Sequence, residues 1–335
     1  MKIAATFALS ATQREAIARV GPNMQVSDRD CRTAEEIAAL LDSNTEVLLT
    51  FRIPSAATMR APNLKWVQLL SAGADHVLRE AAPGDRFTIT TASGLHSVLI
   101  GEYCIGSMLA FTHRFQTTLR GQLKHEWLKQ SPFMTSVREL RGCTTGIVGY
   151  GSIGRETARM ARALGMTVLA LKRNPDDRVD SGWAPEGVGD PEGKIPARFY
   201  GPSQCKELMT QCDFVVVTLP LTPETRGFIG EAELAAAKPG AYIVNIGRGG
   251  VIDEPALIAA LKEGRIAGAG LDVFEREPLP FDSPLWDMEN VILTPHSAGS
   301  KRGYFEHAFE IFIENLRRFV AERPLLNQVD RKKAY

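Results

Sequence analysis

"GYGSIG", residues 149 to 154, lies within the run C-T-T-G-I-V-G-Y-G-S-I-G-R-E-T-A-R-M-A-R-A-L-G-M-T-V-L-A-L-K-R, residues 143 to 173. Three glycines at this spacing also occur in plain flexible turns, so the flanks carry the reading. An apolar strand ends at Gly149 and a helical pattern follows. Gly165 closes that helix, and a second apolar strand begins at Met166. Gly149 permits the tight turn, Gly151 lets backbone N–H groups approach a pyrophosphate, and Gly154 lets the helix pack closely on the strand. Gly149, Tyr150, Gly151, Ser152, Ile153 and Gly154 are therefore read as the cradle of a dinucleotide site.

A site for NAD ordinarily ends its second strand on Asp or Glu, which holds the adenosine ribose. Here Lys172 and Arg173 take that place, eighteen and nineteen residues after Gly154. A carboxylate would repel a 2′-phosphate, whereas a cationic pair attracts it. The pair favours NADP, with NAD as the alternative. Asp176 and Asp177 follow closely and oppose a phosphate, and basic residues leaving a strand are also ordinary solvated side chains.

Outward from this motif, short apolar runs alternate with helical patterns through most of the chain. In the first hundred residues "KIAATFA", "EVLLTF", "WVQLLS" and "FTITTA" read as strands. "TQREAIARV", "TAEEIAALLD" and "DHVLREAA" read as helices, the second with Thr33 as N-cap and Glu36 closing a capping box. From residue 144 a second series runs through "TTGIVGY", "MTVLALK", "DFVVVTLP", "AYIVNIG", "AGAGLDVF" and "NVILTP". Strands alternating with helices imply parallel sheets covered on both faces. The fold class is α/β, with two doubly wound parallel-sheet domains and ligands at the carboxyl ends of the strands.

Three stretches depart from the alternation. Residues 97–115 read as one long apolar helix able to bridge the domains. Residues 116–139, containing Trp127, read as an extended arm, and 174–203, dense in Gly, Pro and Asp, as a long surface loop. The final helix carries Phe305, Phe309, Phe312, Leu316 and Phe319 at three- and four-residue steps, an amphipathic stripe for packing on the first domain.

Global quantities agree with this plan. A chain of 335 residues exceeds one usual core, and its 44% hydrophobic and 23% charged residues are those of an ordinary globular protein. The 39 basic side chains balance 39 acidic ones, which argues against a nucleic-acid partner. The five cysteines are scattered and never spaced Cys-x-x-Cys, so they read as buried thiols of a reducing compartment, with no metal site. "MKIAATFALSA" has one basic residue and a short apolar run broken by Thr6, which suits a first strand better than a signal peptide. No apolar run reaches the ~18–20 residues of a membrane span. A cytoplasmic protein is expected.

Three downstream segments supply chemistry: "NIGRGGVIDEPAL" (245–257), "LDVFEREPLP" (271–280) and "TPHSAGS" (294–300). Each begins where an apolar strand ends, so Arg248, Glu277 and His296 emerge at one rim of the second sheet. Singly, each is more often solvated or structural. Together beside a nicotinamide they suit one reaction. Arg clamps a carboxylate bidentately, His trades a proton with the adjacent oxygen, and Glu holds the imidazole.

At these residues the chain resembles the D-isomer-specific 2-hydroxyacid dehydrogenases, of the glyoxylate/hydroxypyruvate reductase kind. The resemblance runs from "NLKWVQLLSAGADHV" to "TPHSAG" and is most specific in "GIVGYGSIG", "VVTLPLTPETRGFIG", "NIGRGGVIDEPALIAAL" and "LDVFEREPLP…LTPHSAG". It implies that Arg248, Glu277 and His296 are catalytic, with Arg248 and His296 also touching substrate. Ala72 and Gly73 would offer N–H groups to the substrate carboxylate. Asp272 would hold the nicotinamide carboxamide, and Leu219 and Pro220 would line the adenosine side. Ile246, Gly247, Gly299 and His296 complete the implied cofactor contacts.

The resemblance also implies a flavodoxin-like substrate domain from 1–100 and 298–335, and a Rossmann NAD(P)-binding domain from 101–297. Residues 116–139 would then be the arm of a homodimer. Arg52, at the end of a first-domain strand, either reads a polar substrate tail or is a solvated loop residue. Two departures from the family stand out: Ile100 replaces the Thr that many members carry two residues before Glu102, and the 174–203 loop is longer than usual. The reaction implied is hydride transfer between NAD(P)H and a small 2-oxo or 2-hydroxy acid. A dinucleotide-sensing binding protein or corepressor on the same fold is the alternative, and formate- or phosphite-oxidising chemistry a weaker one.

Overall fold

The computed structural model describes residues 1–54, 58–74, 77 and 86–331. The helix expected over 75–82 lies, but for Val77, outside them. The chain divides into two compact units. The first comprises Met1–Leu95, Ser181–Trp183 and Lys301–Tyr335; the second comprises His96–Asp180 and Ala184–Ser300.

The first unit holds β1 (Lys2–Ala5), β2 (Gln25–Asp28), β3 (Thr45–Thr50), β4 (Trp66–Leu69) and β5 (Thr88–Thr90), all parallel in the order β2-β1-β3-β4-β5. That is the flavodoxin-like order, whose switch point falls between β1 and β3. Both capping boxes of its early helices form. Ser10 accepts from the Gln13 N–H, and Thr33 from the Glu36 N–H at 3.2 Å. The final helix, Tyr304–Val320, buries Phe309, Phe312 and Leu316 against Ile3, Val47, Leu49 and Trp66. The Trp66 ring lies 5.4 Å from those of both Phe312 and Phe319. Phe305 falls outside this buried face, 47% exposed. Polar groups inside are paired: Gln68 Oε1 accepts from Thr90 Oγ1 at 2.8 Å and from Asn315 Nδ2 at 3.0 Å.

The second unit holds β6 (Thr144–Val148), β7 (Thr167–Leu171), β8 (Arg198–Tyr200), β9 (Phe214–Val217), β10 (Tyr242–Asn245), β11 (Gly268–Leu271) and β12 (Val291–Leu293). Their parallel order is β12-β11-β10-β9-β6-β7-β8. This is the Rossmann arrangement extended by one strand, with the switch point between β6 and β9. The apolar helix Ser97–Thr112 packs within this unit on the helix Ser152–Ala163.

Local structure departs from the sequence reading in three places. β2 was not foreseen, because an edge strand reading QVSD carries no apolar alternation. The 116–139 arm is not extended but contains the helices Phe115–Leu123 and Ser131–Ser136, the latter with Pro132 in its first turn. The 174–203 stretch is not only a surface loop. It contains β8, paired to β7 through Leu169↔Arg198 and Leu171↔Tyr200, and the Tyr200 ring is buried. Its Asp190 is buried too, accepting from the Tyr150 hydroxyl at 2.7 Å and from the N–H groups of Lys194 and Ile195.

Of the cysteines, Cys104, Cys205 and Cys212 are buried, and Cys31 and Cys143 partly so; all are free thiols. No described helix is long and apolar enough to cross a membrane.

Candidate active site

The glycine turn follows β6 at the switch point of the second sheet. Gly149 has φ +108°, a conformation that favours glycine, and a Cβ there would stand 2.6 Å from Thr218 Oγ1. A Cβ at Gly154 would stand 2.4 Å from the Gly149 carbonyl oxygen, so only hydrogen lets the helix Ser152–Ala163 lie this close to its strand. A Cβ at Gly151 would meet nothing within 4 Å. No side-chain hydrogen bond caps this helix, and an uncapped N-terminus after a glycine turn is the arrangement that suits a pyrophosphate. Tyr150 points instead into the core, and Ile153 is packed against it.

The structure divides Lys172 and Arg173, the pair expected to meet a 2′-phosphate. Lys172 donates to the Asp177 backbone oxygen and lies 3.9 Å from its carboxylate, so its ammonium is engaged by its own loop. Burial, then the neighbouring Arg155 charge, lowers its pKa. Arg173 is exposed, and its charge reaches Glu224, whose carboxyl is held low first by a hydrogen bond from Thr222. Arg155, itself buried, ties the loop down. It donates to the backbone oxygens of Asp190 and Arg178 and pairs with Asp180 at 3.2 Å.

Beyond β9 and β10, Leu219 and Pro220 face the turn that carries Ile246 and Gly247; a Cβ at Gly247 would lie 2.5 Å from the Leu219 oxygen. Arg248 follows, half-buried, with Nη1 donating to the Gly247 oxygen at 2.9 Å. Gly249 permits the next contact. A Cβ there would overlap the Phe274 carbonyl carbon at 1.8 Å, so the Arg248 turn lies directly on the backbone leading to Glu277.

Glu277 accepts from the Phe274 N–H at 3.0 Å through Oε1 and meets His296 Nδ1 at 2.7 Å through Oε2. Both side chains reach solvent, His296 at 50% and Glu277 at 36% exposure. With Nδ1 held by a carboxylate, Nε2 is the nitrogen left for proton exchange. His296 sits at φ +50°, a region L-residues rarely occupy.

Asp272, 2% exposed, holds that turn. Its Oδ1 accepts from Thr294 Oγ1 at 2.6 Å, from the Ser297 N–H at 2.8 Å and from the Ala298 N–H at 3.1 Å; its Oδ2 accepts from Ala298 at 3.0 Å. Its backbone oxygen takes the His296 N–H at 2.9 Å. Tyr103, from the helix Ser97–Thr112, pairs with Thr294 Oγ1 at 2.8 Å. The sequence reading missed Tyr103 and gave Asp272 only a nicotinamide contact. Gly299 closes the segment, with His96 Nδ1 3.3 Å from where its Cβ would be.

This geometry, a dinucleotide cradle and a Glu-held histidine on one Rossmann unit, agrees with the comparisons. The description "D-isomer specific 2-hydroxyacid dehydrogenase, NAD binding domain" matches residues 105–298. The chain belongs to that family. It is an NAD(P)-dependent D-2-hydroxyacid dehydrogenase, an oxidoreductase.

A glycerate dehydrogenase of Methylorubrum extorquens is 31% identical over 87% of this chain and 88% of its own. A glyoxylate reductase of Thermococcus gammatolerans is 36% identical over 80% and 77%. Among solved structures, a D-isomer specific 2-hydroxyacid dehydrogenase of Xanthobacter autotrophicus, in complex with NADPH and MES, superposes with TM-score 0.78 at 31% identity, covering 100% of this chain and 99% of that one. An NADPH-dependent glyoxylate/hydroxypyruvate reductase of Sinorhizobium meliloti gives 0.76 at 28% identity, with the same coverage.

The residues expected on the substrate side, Arg52, Ala72 and Gly73, lie in the first unit. Arg52 is exposed just beyond β3, its backbone oxygen accepting from Thr50 Oγ1 at 2.9 Å. Ala72 and Gly73 follow β4, partly buried, with the Ser71 hydroxyl donating to the Gly73 oxygen at 2.8 Å.

Proposed function

We propose that this protein reduces 2-oxo acids to D-2-hydroxy acids with NADPH as the preferred reductant, in the manner of a glyoxylate/hydroxypyruvate reductase. The 2.7 Å contact of His296 Nδ1 with Glu277 carries the proposal, because it leaves Nε2 to serve as the acid. When bound, the nicotinamide supplies the hydride that reaches the carbonyl carbon. His296 gives the carbonyl oxygen its proton, and Glu277 compensates the imidazolium charge that precedes the transfer. Arg248 clamps the carboxylate. Ala72 and Gly73 are proposed as further carboxylate donors, and Arg52 as a contact to the rest of the substrate. In the reverse direction, neutral His296 takes the hydroxyl proton.

The cofactor is held through the N–H groups at Gly151 to Ile153, with Arg173 meeting the 2′-phosphate. Leu219, Pro220, Ile246 and Gly247 line the site, and Asp272 is the proposed acceptor for the nicotinamide carboxamide. The first unit serves the substrate and the second the cofactor, in a cytoplasmic homodimer built through 116–139. Relatives named glyoxylate reductase and a neighbour solved with NADPH support this reading. Its test is a panel of 2-oxo acids offered with NADPH and with NADH. Reduction with a higher kcat/KM for NADPH is expected; failure to reduce any of them refutes it.

A further inference from the structure

Two charged side chains are buried side by side on the helix that follows the glycine turn, and no catalytic step above uses either. Arg155 is 2% exposed and Glu156 is wholly buried. A buried charge is costly unless it is paired and hydrogen-bonded. Glu156 accepts from Arg159 Nε at 2.8 Å on its own helix, and from the Gly189 N–H at 2.6 Å in the loop that leaves β7. Arg155 reaches the same loop. It donates to the backbone oxygens of Asp190 and, at 2.7 Å, of Arg178, and its Nε lies 3.2 Å from the Asp180 carboxylate. Its guanidinium also lies over the Tyr150 ring, 4.8 Å from the centroid, while the Tyr150 hydroxyl donates to Asp190.

These contacts join the outgoing limb of the loop, at Arg178 and Asp180, to the returning limb at Gly189–Ile195. The limbs also meet directly. The Asp180 N–H donates to the Pro191 oxygen at 2.8 Å, and a Cβ at Gly193, which has φ +65°, would stand 2.6 Å from the Arg178 oxygen. Arg178 is therefore a fixed point. Lys172 is another, its N–H donating to the Tyr200 oxygen of β8 at 3.0 Å. Residues 173–177 span the two, and the Lys172 ammonium closes the span on the Asp177 oxygen. Arg173 stands exposed at its start.

An arginine on a loose loop gives up much conformational freedom when it meets a phosphate. One carried by a span already fixed at both ends gives up less, and binds more tightly for it. Arg155 lies one turn after the N–H groups proposed for the pyrophosphate, its own N–H donating to the Gly151 oxygen at 2.9 Å. One residue thus ties the span bearing Arg173 to the start of the cradle helix.

We infer that Arg155 is a positioning residue for cofactor discrimination: it sets the place of the Arg173 span relative to the glycine turn, so that recognition of the adenosine 2′-phosphate depends on a buried side chain engaged by the loop itself. The inference rests on the NADPH preference proposed above. A purely structural Arg155 would support every part of the nucleotide site equally, whereas a positioning residue for this span acts on the 2′-phosphate alone.

The test uses nucleotide fragments and needs no turnover. Binding of adenosine 2′,5′-bisphosphate and of 5′-AMP to the full-length protein is measured by calorimetry, and the ratio of the two affinities reads the 2′-phosphate. The wild type should favour the bisphosphate by at least about tenfold. Arg155→Met keeps the bulk of the side chain without its donors, and should lower that ratio about fivefold or more while changing the 5′-AMP affinity less than about twofold. Asp180→Ala removes a partly exposed partner of the same guanidinium and serves where Arg155→Met fails to fold; it should lower the ratio about twofold. A tenfold wild-type ratio that neither variant lowers, or equal weakening of both nucleotides, overturns the positioning role alone. A wild type that binds the two nucleotides alike overturns the NADPH reading and the inference with it.

Discussion

His296 meets Glu277 at 2.7 Å across nineteen residues of chain, and both side chains remain open to solvent. The contact fixes which imidazole nitrogen is available, and the carboxylate compensates the charge on the ring that gives up the proton. Glu277→Gln keeps the shape but not the charge. It should lower the reductive kcat by at least ~10-fold while changing the KM for cofactor little. A kcat close to that of the wild type would mean that Glu277 does not act through His296.

The turn bearing His296 is held by Asp272, Thr294 and Tyr103. Thr294→Val removes two hydroxyl links at similar volume and should cost about 1–3 kcal/mol of stability, because it leaves partners unsatisfied. Tyr103→Phe removes one and should cost about 0.5–1.5 kcal/mol. Both should lower kcat more than they raise the KM for cofactor, since they disturb His296 and not the cradle. Burial pushes the Tyr103 phenol up to about 12. An unfolded phenol ionises near ~10. Its contribution is therefore complete below pH ~10 and is lost as pH rises through the folded value. Tyr103→Phe should flatten the loss of stability over that window; an unchanged denaturation profile would remove Tyr103 from the network.

Lys172 donates into its own loop, while Arg173 lies exposed beyond β7. A charged hydrogen bond to a 2′-phosphate is worth ~1.5–3 kcal/mol when sheltered, and less at a surface position. Arg173→Ala should cut kcat/KM for NADPH about tenfold and change that for NADH little, while Lys172→Ala should have the smaller effect. A wild type that prefers NADH, or an Arg173→Ala variant weakened equally with both cofactors, contradicts the assignment.

The 115–136 segment exposes Leu119 at 57%, Leu123 at 82% and Trp127 at 94%. Single apolar residues on a surface are ordinary, but Leu119 and Leu123 on one helix and Trp127 just after it form a run, which supports the proposed dimer contact. Light scattering should give twice the 36.7 kDa chain mass at micromolar concentration. A monomeric mass would remove the arm's proposed role.

What was legible beforehand was local. The turn at 149–154, the capping box at Thr33 and the final apolar stripe each declare themselves within one or two helical turns of sequence. Arg248, Glu277 and His296 stood out because each follows a run of β-formers. The groups that steady them did not. Tyr103 meets Thr294 across 191 residues, and Tyr150 meets Asp190 across 40, so no window of sequence joins them. Loop 174–203 reads as polar and Gly-rich because its order comes from Arg155 and Tyr150 on another element. Phe305 reads as one more member of the apolar stripe, and only the fold shows that it stands apart.

The central claim is that His296 passes a proton to a 2-oxo acid while hydride arrives from the reduced nicotinamide. The most direct measurement is 2-oxo-acid-dependent oxidation of NADPH by the wild type and by His296→Ala, with NADPH binding followed separately by fluorescence. The account predicts turnover by the wild type, a loss of at least ~10²-fold in kcat for the variant, and similar NADPH affinity for both. Turnover by His296→Ala close to that of the wild type would contradict it.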